Sequence, residues 1–302
     1  MTRRIRTLRI ATILLVSAAL AAPGGCGSDP TTPARNDMDL DRLPPDTGGT
    51  QTALPRDPGS PGAAPYGLHM YLPGGMDASP VPYPLLVFLH GSGERGDSAA
   101  DPAVLATVLR NGPPRLIDRD QWHPPHPMIV VSPQCHGGSW DAALVRELIA
   151  WVDAHHPVDR TRIYLTGLSM GGYGTWSYLG RYGDAGDDSL AVAAAVPICG
   201  GGSTGLAAAI SGTPVWAFHG TADTVVQPFA SAALVKAIGA LDPPVAPRLT
   251  LYDGVGHDSW SRTYDLSGLG QGMTAYPEDP AVGPWLVDYA PDVYTWLFSH
   301  RR

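Results

Sequence analysis

Lysine is almost absent from this chain. Lys236 is the only lysine among 302 residues, and arginine supplies the other side-chain cations. Four of those arginines fall within residues 1–25, so the rest of the chain has 16 basic residues against 28 acidic ones, a net charge of −12. No basic stripe remains that could follow a phosphate backbone, which excludes nucleic acid as a partner.

Long apolar runs are also missing. The longest largely apolar run, "IATILLVSAALAA", has 13 residues and is too short to span a bilayer. It follows the basic stretch "MTRRIRTLR". A basic start before a short apolar run is typical of a signal peptide, which we predict over residues 1–25. The sequence therefore predicts an exported protein.

Cysteine is scarce, and the first of three cysteines follows the predicted signal peptide. The segment "APGGC", which ends at Cys26, resembles a lipobox, although Pro23 stands where leucine is usual. We expect Cys26 to be acylated and to anchor the chain to the cell envelope, its only membrane contact. The alternative is cleavage after "ALA" at residues 19–21, which would release a secreted protein.

The other two cysteines, Cys135 and Cys199, each follow an apparent strand. An even pair in an exported protein favours a disulfide between them, with buried free thiols as the alternative. No His, Cys and Asp residues have the spacing of a metal site, and no nucleotide-binding glycine motif follows a strand. We therefore expect neither a metal nor a cofactor.

The composition changes near residue 60. Residues 26–60 are rich in Pro, Gly, Asp and Thr without apolar periodicity, which predicts a disordered tether. Strand-like runs such as "PLLVFLHG" (84–91) then alternate with helix-like ones such as "DAALVRELIAWVDAHH" (141–156). This alternation predicts one α/β domain over residues 61–302, with a mostly parallel sheet covered by helices on both faces.

Two serines lie in Gly-x-Ser-x-Gly patterns, a weak signal in a chain with 36 glycines. Ser169 in "TGLSMGGYG" follows the strand-like "RIYLTG" and precedes a helix-like stretch, as a nucleophile elbow requires. Ser203 follows three glycines, which predict a flexible loop rather than a rigid turn. We therefore predict Ser169 as the nucleophile.

The serine needs a base, and the base needs an orienting carboxylate. Asp223 follows the strand-like "PVWAFHG", and His257 lies in a glycine-rich loop after the last long strand. We predict these two as the acid and the base, with Asp253 and Asp258 as weaker candidates for the acid. His90 and His219 precede glycines at strand ends and are expected to fix loops.

Backbone N–H groups near the serine are expected to bind the oxyanion of the tetrahedral intermediate. The N–H of Met170 directly follows the nucleophile. The loop "HGSGERG" (90–96) supplies a second donor, with Ser92 as the first choice and Gly93 as the second.

The ordered motifs resemble a known family. "FLHGSGERG", "VVSPQC", "RIYLTGLSMGGYGTW", "WAFHGTADTVV" and "GVGHDSW" resemble the α/β-hydrolase group of bacterial carboxylesterases often labelled predicted peptidases, related to dienelactone-hydrolase-like and feruloyl-esterase-like enzymes. The similarity covers residues 66–264 and resumes at 292–300. It implies the α/β-hydrolase fold, hydrolysis of small or plant-wall-type esters, and Ser169, Asp223 and His257 as the triad. The alternatives are a serine peptidase with the same triad and a non-catalytic binding module on this scaffold.

One segment departs from that group. Residues 265–288 are an extra Gly/Pro-rich stretch after the histidine loop. They are predicted to form either a lid over the site or a surface excursion. Trp140 and Trp260 are predicted to wall the substrate pocket, with ordinary packing as the alternative.

Overall fold

The computed structural model describes residues 40–76, 79, 81–183, 186 and 188–302. The predicted signal peptide and the predicted lipidation site Cys26 lie outside the described residues. No helix among the described residues is both long and apolar enough to cross a membrane.

An eight-stranded sheet forms the centre of the fold. Its strands are β1 Thr50–Leu54, β2 Gly67–Leu72, β3 Tyr83–Leu89, β4 Ile129–Gln134, β5 Val158–Leu168, β6 Ala194–Ile198, β7 Trp216–Gly220 and β8 Arg248–Tyr252. Their order across the sheet is β1-β2-β4-β3-β5-β6-β7-β8. The pairs β1–β2 and β2–β4 are antiparallel, and the other pairs are parallel. The predicted mostly parallel sheet is confirmed.

Helices connect most of the parallel strands. Within the described residues they are α1 Gly112–Asp118, α2 Ala142–His155, α3 Met170–Tyr182, α4 Ala207–Ile210, α5 Phe229–Gly239, α6 Trp260–Tyr264 and α7 Val293–Phe298. The side chain of Asp141 accepts a hydrogen bond from the N–H of Ala143 and so caps the start of α2. The stretch Pro102–Arg110 is a 3₁₀ helix.

Four strands of the sheet are buried along their whole length. Every residue of β3, β4, β6 and β7 is buried. Strands covered on both faces need no polar alternation, which explains the continuous apolar runs in the sequence. Each fully buried side chain, such as Leu86 or Val131, contributes about 1.5–3 kcal/mol to stability.

Order begins earlier in the chain than the sequence predicts. Thr50–Leu54 pairs with β2, in a register that runs from Thr50 opposite Leu72 to Leu54 opposite Leu68. The prediction of a disordered tether is therefore wrong for residues 40–60. Four of the five β1 residues are exposed, so this strand has no apolar alternation and is held mainly by backbone hydrogen bonds.

The predicted disulfide is also wrong, because Cys135 and Cys199 are free, buried thiols. Cys135 follows β4 and Cys199 follows β6, and two other strands lie between these in the sheet. Three strand spacings amount to about 14 Å. A disulfide requires Cα atoms within about 7 Å of each other. Burial raises the pKa of both thiols.

The segment 265–288 covers the β8 edge of the sheet. Leu286 forms a parallel bridge with Leu249 of β8. The N–H of Met273 donates to the carbonyl oxygen of Leu251 at 2.9 Å. None of its residues lines the cavity beside Ser169 that is described below. The segment thus packs along the edge of the sheet, and a lid over the site stays a prediction.

Candidate active site

Ser169 lies at the sharp turn between β5 and α3. Its backbone has φ 52° and ψ −115°, a conformation that costs a non-glycine residue about 1–3 kcal/mol. Its N–H donates to the carbonyl oxygen of Ile198 at 3.0 Å, which ties the turn to β6. Two residues on, a Cβ at Gly171 would overlap the carbonyl oxygen of Leu89. Only glycine at that position lets α3 approach β3 so closely.

Ser169, His257 and Asp223 form one hydrogen-bonded series. The Oγ of Ser169 lies 2.9 Å from Nε2 of His257, and Nδ1 of His257 lies 2.7 Å from Oδ2 of Asp223. The other carboxylate oxygen of Asp223 accepts the N–H groups of Val225 at 2.8 Å and Val226 at 2.9 Å. The structure thus brings together the three residues that the sequence predicts.

Asp223 is held in its ionised form. Burial alone would raise the pKa of its carboxyl, but the hydrogen bonds from His257 and from the N–H groups of Val226 and Val225 outweigh that effect. The pKa therefore lies below its ordinary value, and Asp223 is an anion at neutral pH. Its charge faces Nδ1 of His257.

Two N–H groups near Ser169 are free of partners within their own helices. Met170 is the first residue of α3, and Ser92 is the first residue of a short 3₁₀ turn, so neither N–H has an intrahelical acceptor. Both residues border the same cavity as Ser169. Gly93 does not border it, and a Cβ there would meet no atom within 4 Å. The geometry favours Ser92 over Gly93 as the second donor.

The loop that carries Ser92 is fixed by His90. This buried ring accepts the N–H of Cys135 at Nε2, at 2.9 Å, and its Nδ1 lies 2.6 Å from the carbonyl oxygen of Gly91. The indole N–H of Trp140 donates to the carbonyl oxygen of His90 at 3.1 Å. Burial lowers the pKa of His90 to about 4, so the ring is neutral and acts as a structural hydrogen-bonding group.

A cavity of about 620 Å³ opens beside Ser169, a size that suits a small organic ligand. Its walls are formed by Ser92, Ser139, Trp140, Ser169, Met170, Tyr173, Gly174, Ser177, Gly201, Gly202, Ser203 and Leu206. Trp140 lies in the wall, whereas Trp260 does not. Ser203 lies in the wall too, and its Oγ accepts the N–H of Gly205. Across the part of the chain that the structure describes, no three His, Cys, Asp or Glu side chains are placed to hold a metal ion.

Comparison with known proteins identifies solved structures with a similar fold. No family model matches the chain, and no curated protein does either. A thermostable esterase of solved structure is 27% identical with a TM-score of 0.55, over 88% of this chain and 64% of that one. The chain therefore spans slightly less than two thirds of that esterase. A Staphylococcus aureus fluorophosphonate-binding serine hydrolase F is 15% identical with a TM-score of 0.53, over 72% of this chain and 96% of that one.

A feruloyl esterase module from Clostridium thermocellum is 17% identical with a TM-score of 0.50, over 82% of this chain and 91% of that one. This chain has the α/β-hydrolase fold. The likenesses to these three solved structures show the fold. In this α/β-hydrolase the acid loop follows β7 and the histidine loop follows β8.

Sequence reasoning missed Asn111 and Glu94, which are linked to the histidine of this α/β-hydrolase through Trp260. Trp260 packs edge-on against His257, with ring centroids 5.4 Å apart, and its indole N–H donates to Oδ1 of Asn111 at 3.2 Å. The amide of Asn111 in turn donates to the buried carboxyl group of Glu94. The only sequence signal for Glu94 is its charge within the glycine-rich loop "HGSGERG". Nothing in the sequence links Glu94 to Asn111.

Proposed function

We propose that this α/β-hydrolase is a serine-dependent carboxylic ester hydrolase that works through an acyl-enzyme on small or plant-wall-type esters. One observation carries the proposal: the hydroxyl of Ser169, the imidazole of His257 and the ionised carboxyl of Asp223 form a hydrogen-bonded series beside a cavity. A serine hydroxyl is a weak nucleophile alone, and this arrangement supplies its base.

In the first half of the reaction, Oγ of Ser169 attacks the ester carbonyl carbon while its proton passes to Nε2 of His257. Asp223 holds the imidazole by Nδ1 and stabilises the imidazolium that forms. The carbonyl oxygen becomes an oxyanion, which the N–H groups of Ser92 and Met170 bind. The C–O bond of the ester then breaks, and the proton on Nε2 moves to the departing alcohol oxygen.

In the second half, water replaces the alcohol. Nε2 of His257 takes a proton from the water as its oxygen attacks the acyl carbon. The bond to Oγ of Ser169 breaks, and the proton returns from His257 to Oγ. The products are a carboxylic acid and the free enzyme.

The size and lining of the cavity favour a substrate with an acyl group of moderate size. Its walls combine the aromatic rings of Trp140 and Tyr173 and the aliphatic Leu206 with the hydroxyl groups of Ser139 and Ser177. An apolar cleft with a few hydroxyl groups suits a flat or aliphatic acyl group with a polar substituent. A panel of acetyl, butyryl, octanoyl, feruloyl and sinapoyl esters identifies the preferred acyl group by kcat/KM.

Hydrolysis of p-nitrophenyl esters tests the proposal. Ser169→Ala is expected to lower kcat by roughly 10⁴-fold or more, because no nucleophile remains. The matched variant is Ser203→Ala, which alters the second Gly-x-Ser-x-Gly serine and is expected to stay within about tenfold of the wild type. Equal losses in both variants would contradict the assignment. Faster turnover of peptidyl amides than of the corresponding esters would favour a serine peptidase instead.

A further inference from the structure

A second histidine lies behind the acid. His219 is in β7, its side chain is fully buried, and its Nε2 lies 3.1 Å from Oδ2 of Asp223. The same nitrogen lies 2.9 Å from the carbonyl oxygen of Val226. On its other side, Nδ1 lies 2.8 Å from Oγ of Ser231 in α5. His219 thus joins α5 to the candidate active site.

The neighbours of His219 determine which nitrogen carries the hydrogen. Oδ2 of Asp223 and the carbonyl oxygen of Val226 can only accept hydrogen bonds, so Nε2 must be a donor. Burial lowers the pKa of His219, so the ring is neutral at pH 7 and carries a single N–H. Nδ1 is then an acceptor. The hydroxyl of Ser231 can donate to it, although the carbonyl oxygen of Gly200 at 2.9 Å competes for the same proton.

We propose that His219 is a positioning residue for ester hydrolysis, which donates from Nε2 to Oδ2 of Asp223 in the tautomer that the acceptors of Asp223 and Val226 require. The inference rests on the proposed function. The side chains of Ser169, His257, Asp223 and His219 then form one series, in which each hydroxyl or N–H points toward Asp223 or toward the next ring. His219 acts on the reaction only through Asp223.

The series fixes the carboxylate plane. Both oxygens of Asp223 are engaged, Oδ1 by the N–H groups of Val225 and Val226, and Oδ2 by His219 and His257. A carboxylate held at both oxygens cannot rotate away from Nδ1 of His257. Preorganisation of this kind favours turnover because small misplacements of a catalytic group are costly.

The neutral state of His219 matters as well. Asp223 and His257 are the titratable groups that act on the pKa of His219. Positive charge develops on His257 when it takes the serine proton, and a second cation on the far side of Asp223 would oppose that charge. A neutral donor holds the carboxylate without that penalty. The contact between His219 and Asp223 is therefore a hydrogen bond rather than an ion pair.

Three variants test the proposal in ester hydrolysis. His219→Phe removes the donor but keeps a ring, and kcat is expected to fall by roughly 10- to 100-fold with KM within twofold. His219→Gln places an amide N–H near the position of Nε2 and is expected to recover most of kcat. His69→Phe is the matched control, because His69 is a buried histidine of β2 that bonds the carbonyl oxygen of Leu105 away from the site. That variant is expected to lose stability and keep the wild-type kcat.

The pH profile separates positioning from structural support. Losing one donor leaves Oδ2 of Asp223 more basic. In His219→Phe, the midpoint of the acid limb in the plot of kcat/KM against pH is therefore expected to rise by about half a pH unit to one pH unit. The acid limb of His219→Gln and His69→Phe should stay at the wild-type position. Equal losses of kcat in His219→Phe and His219→Gln, or an unmoved acid limb in a folded His219→Phe, would overturn the proposal.

A second measurement needs no turnover and covers the case in which His219→Phe does not fold. In protein labelled with ¹⁵N-histidine, the ring nitrogen shifts of His219 at pH 7 should be those of a neutral ring with hydrogen on Nε2, assigned by their loss in His219→Gln. A doubly protonated ring, or hydrogen on Nδ1, would refute the positioning role. If the wild type and Ser169→Ala are equally inactive on esters while the tautomer is as expected, the proposed function fails and the hydrogen-bonded arrangement stands.

Discussion

Replacing Asp223 with asparagine keeps the shape of the acid loop but reverses one hydrogen bond. Two backbone N–H groups, those of Val225 and Val226, point at Oδ1 and require an acceptor there. These two main-chain donors outnumber the single N–H of His219 that faces Oδ2, so the carbonyl oxygen of the asparagine is expected to occupy the Oδ1 position. Its NH₂ group then takes the position of Oδ2, 2.7 Å from Nδ1 of His257.

The size of the effect follows from the tautomer that this forces. An NH₂ group facing Nδ1 makes that nitrogen an acceptor, so the ring hydrogen moves to Nε2, which faces Oγ of Ser169. Nε2 can then no longer take the serine proton. A triad with the wrong tautomer loses about 10⁴-fold in kcat, which corresponds to about 5.5 kcal/mol of transition-state stabilisation.

Steady-state hydrolysis of p-nitrophenyl acetate at pH 7.5 measures this loss. Asp258→Asn is the matched control, since Asp258 neighbours His257 in sequence but its carboxylate bonds the N–H and the hydroxyl of Ser261. We expect that variant to keep kcat within about threefold of the wild type. If a folded Asp223→Asn kept more than a tenth of kcat, or if the two variants lost equally, Asp223 could not be the orienting acid.

Four further outcomes are expected. Gly171→Ala should lower the free energy of unfolding in urea by about 1–3 kcal/mol and impair turnover, because its Cβ overlaps main-chain atoms. In a Cys26→Ser variant, Cys135 and Cys199 should both react with a thiol reagent after unfolding and only slowly before it, because both are buried. Val282→Ala, in the edge segment, should cost about 1–3 kcal/mol of stability without changing the relative rates on short and long acyl esters. Mass spectrometry of the mature wild type should find acylated Cys26 at the N-terminus.

Each of these outcomes has a control or a result that would contradict it. Gly138→Ala, where a Cβ meets no atom within 4 Å, should leave stability unchanged. Fewer than two reactive thiols after unfolding would support the predicted disulfide between Cys135 and Cys199. A change of acyl preference in Val282→Ala would show that the edge segment contributes to the pocket after all. A free N-terminus upstream of Cys26 would exclude the lipid anchor.

The parallel strands could be predicted from sequence because a strand that is buried on both faces consists of a continuous run of apolar residues. The strand β1 could not, because its residues are mostly exposed and its contacts are backbone hydrogen bonds to β2, which any side chains permit. The composition of residues 26–60 favours disorder. For residues 50–54, backbone pairing with β2 outweighs the effect of composition. The disulfide prediction failed because the sequence gives chain order but not the order of strands in the sheet.

The candidate triad could be located because each residue follows a recognisable strand, and the ends of parallel strands share one rim. The supporting residues could not be located in that way. His219 and Glu94 acquire their surroundings only from tertiary packing, which places α5 behind one and Asn111 beside the other. Trp260 was predicted as a wall of the pocket, but it packs against His257 and does not border the cavity.

The segment 265–288 also limits self-association of this protein through the β8 edge of its sheet. A sheet gains strands only at an edge whose N–H and C=O groups are unpaired. Along β8 the carbonyl oxygens of Leu249 and Leu251 already accept the N–H groups of Val287 and Met273 from the same chain. No strand from another molecule can add there while the segment stays docked. A variant that detaches it is expected to self-associate through β8 while Ser169, on the other side of three strands, keeps its geometry.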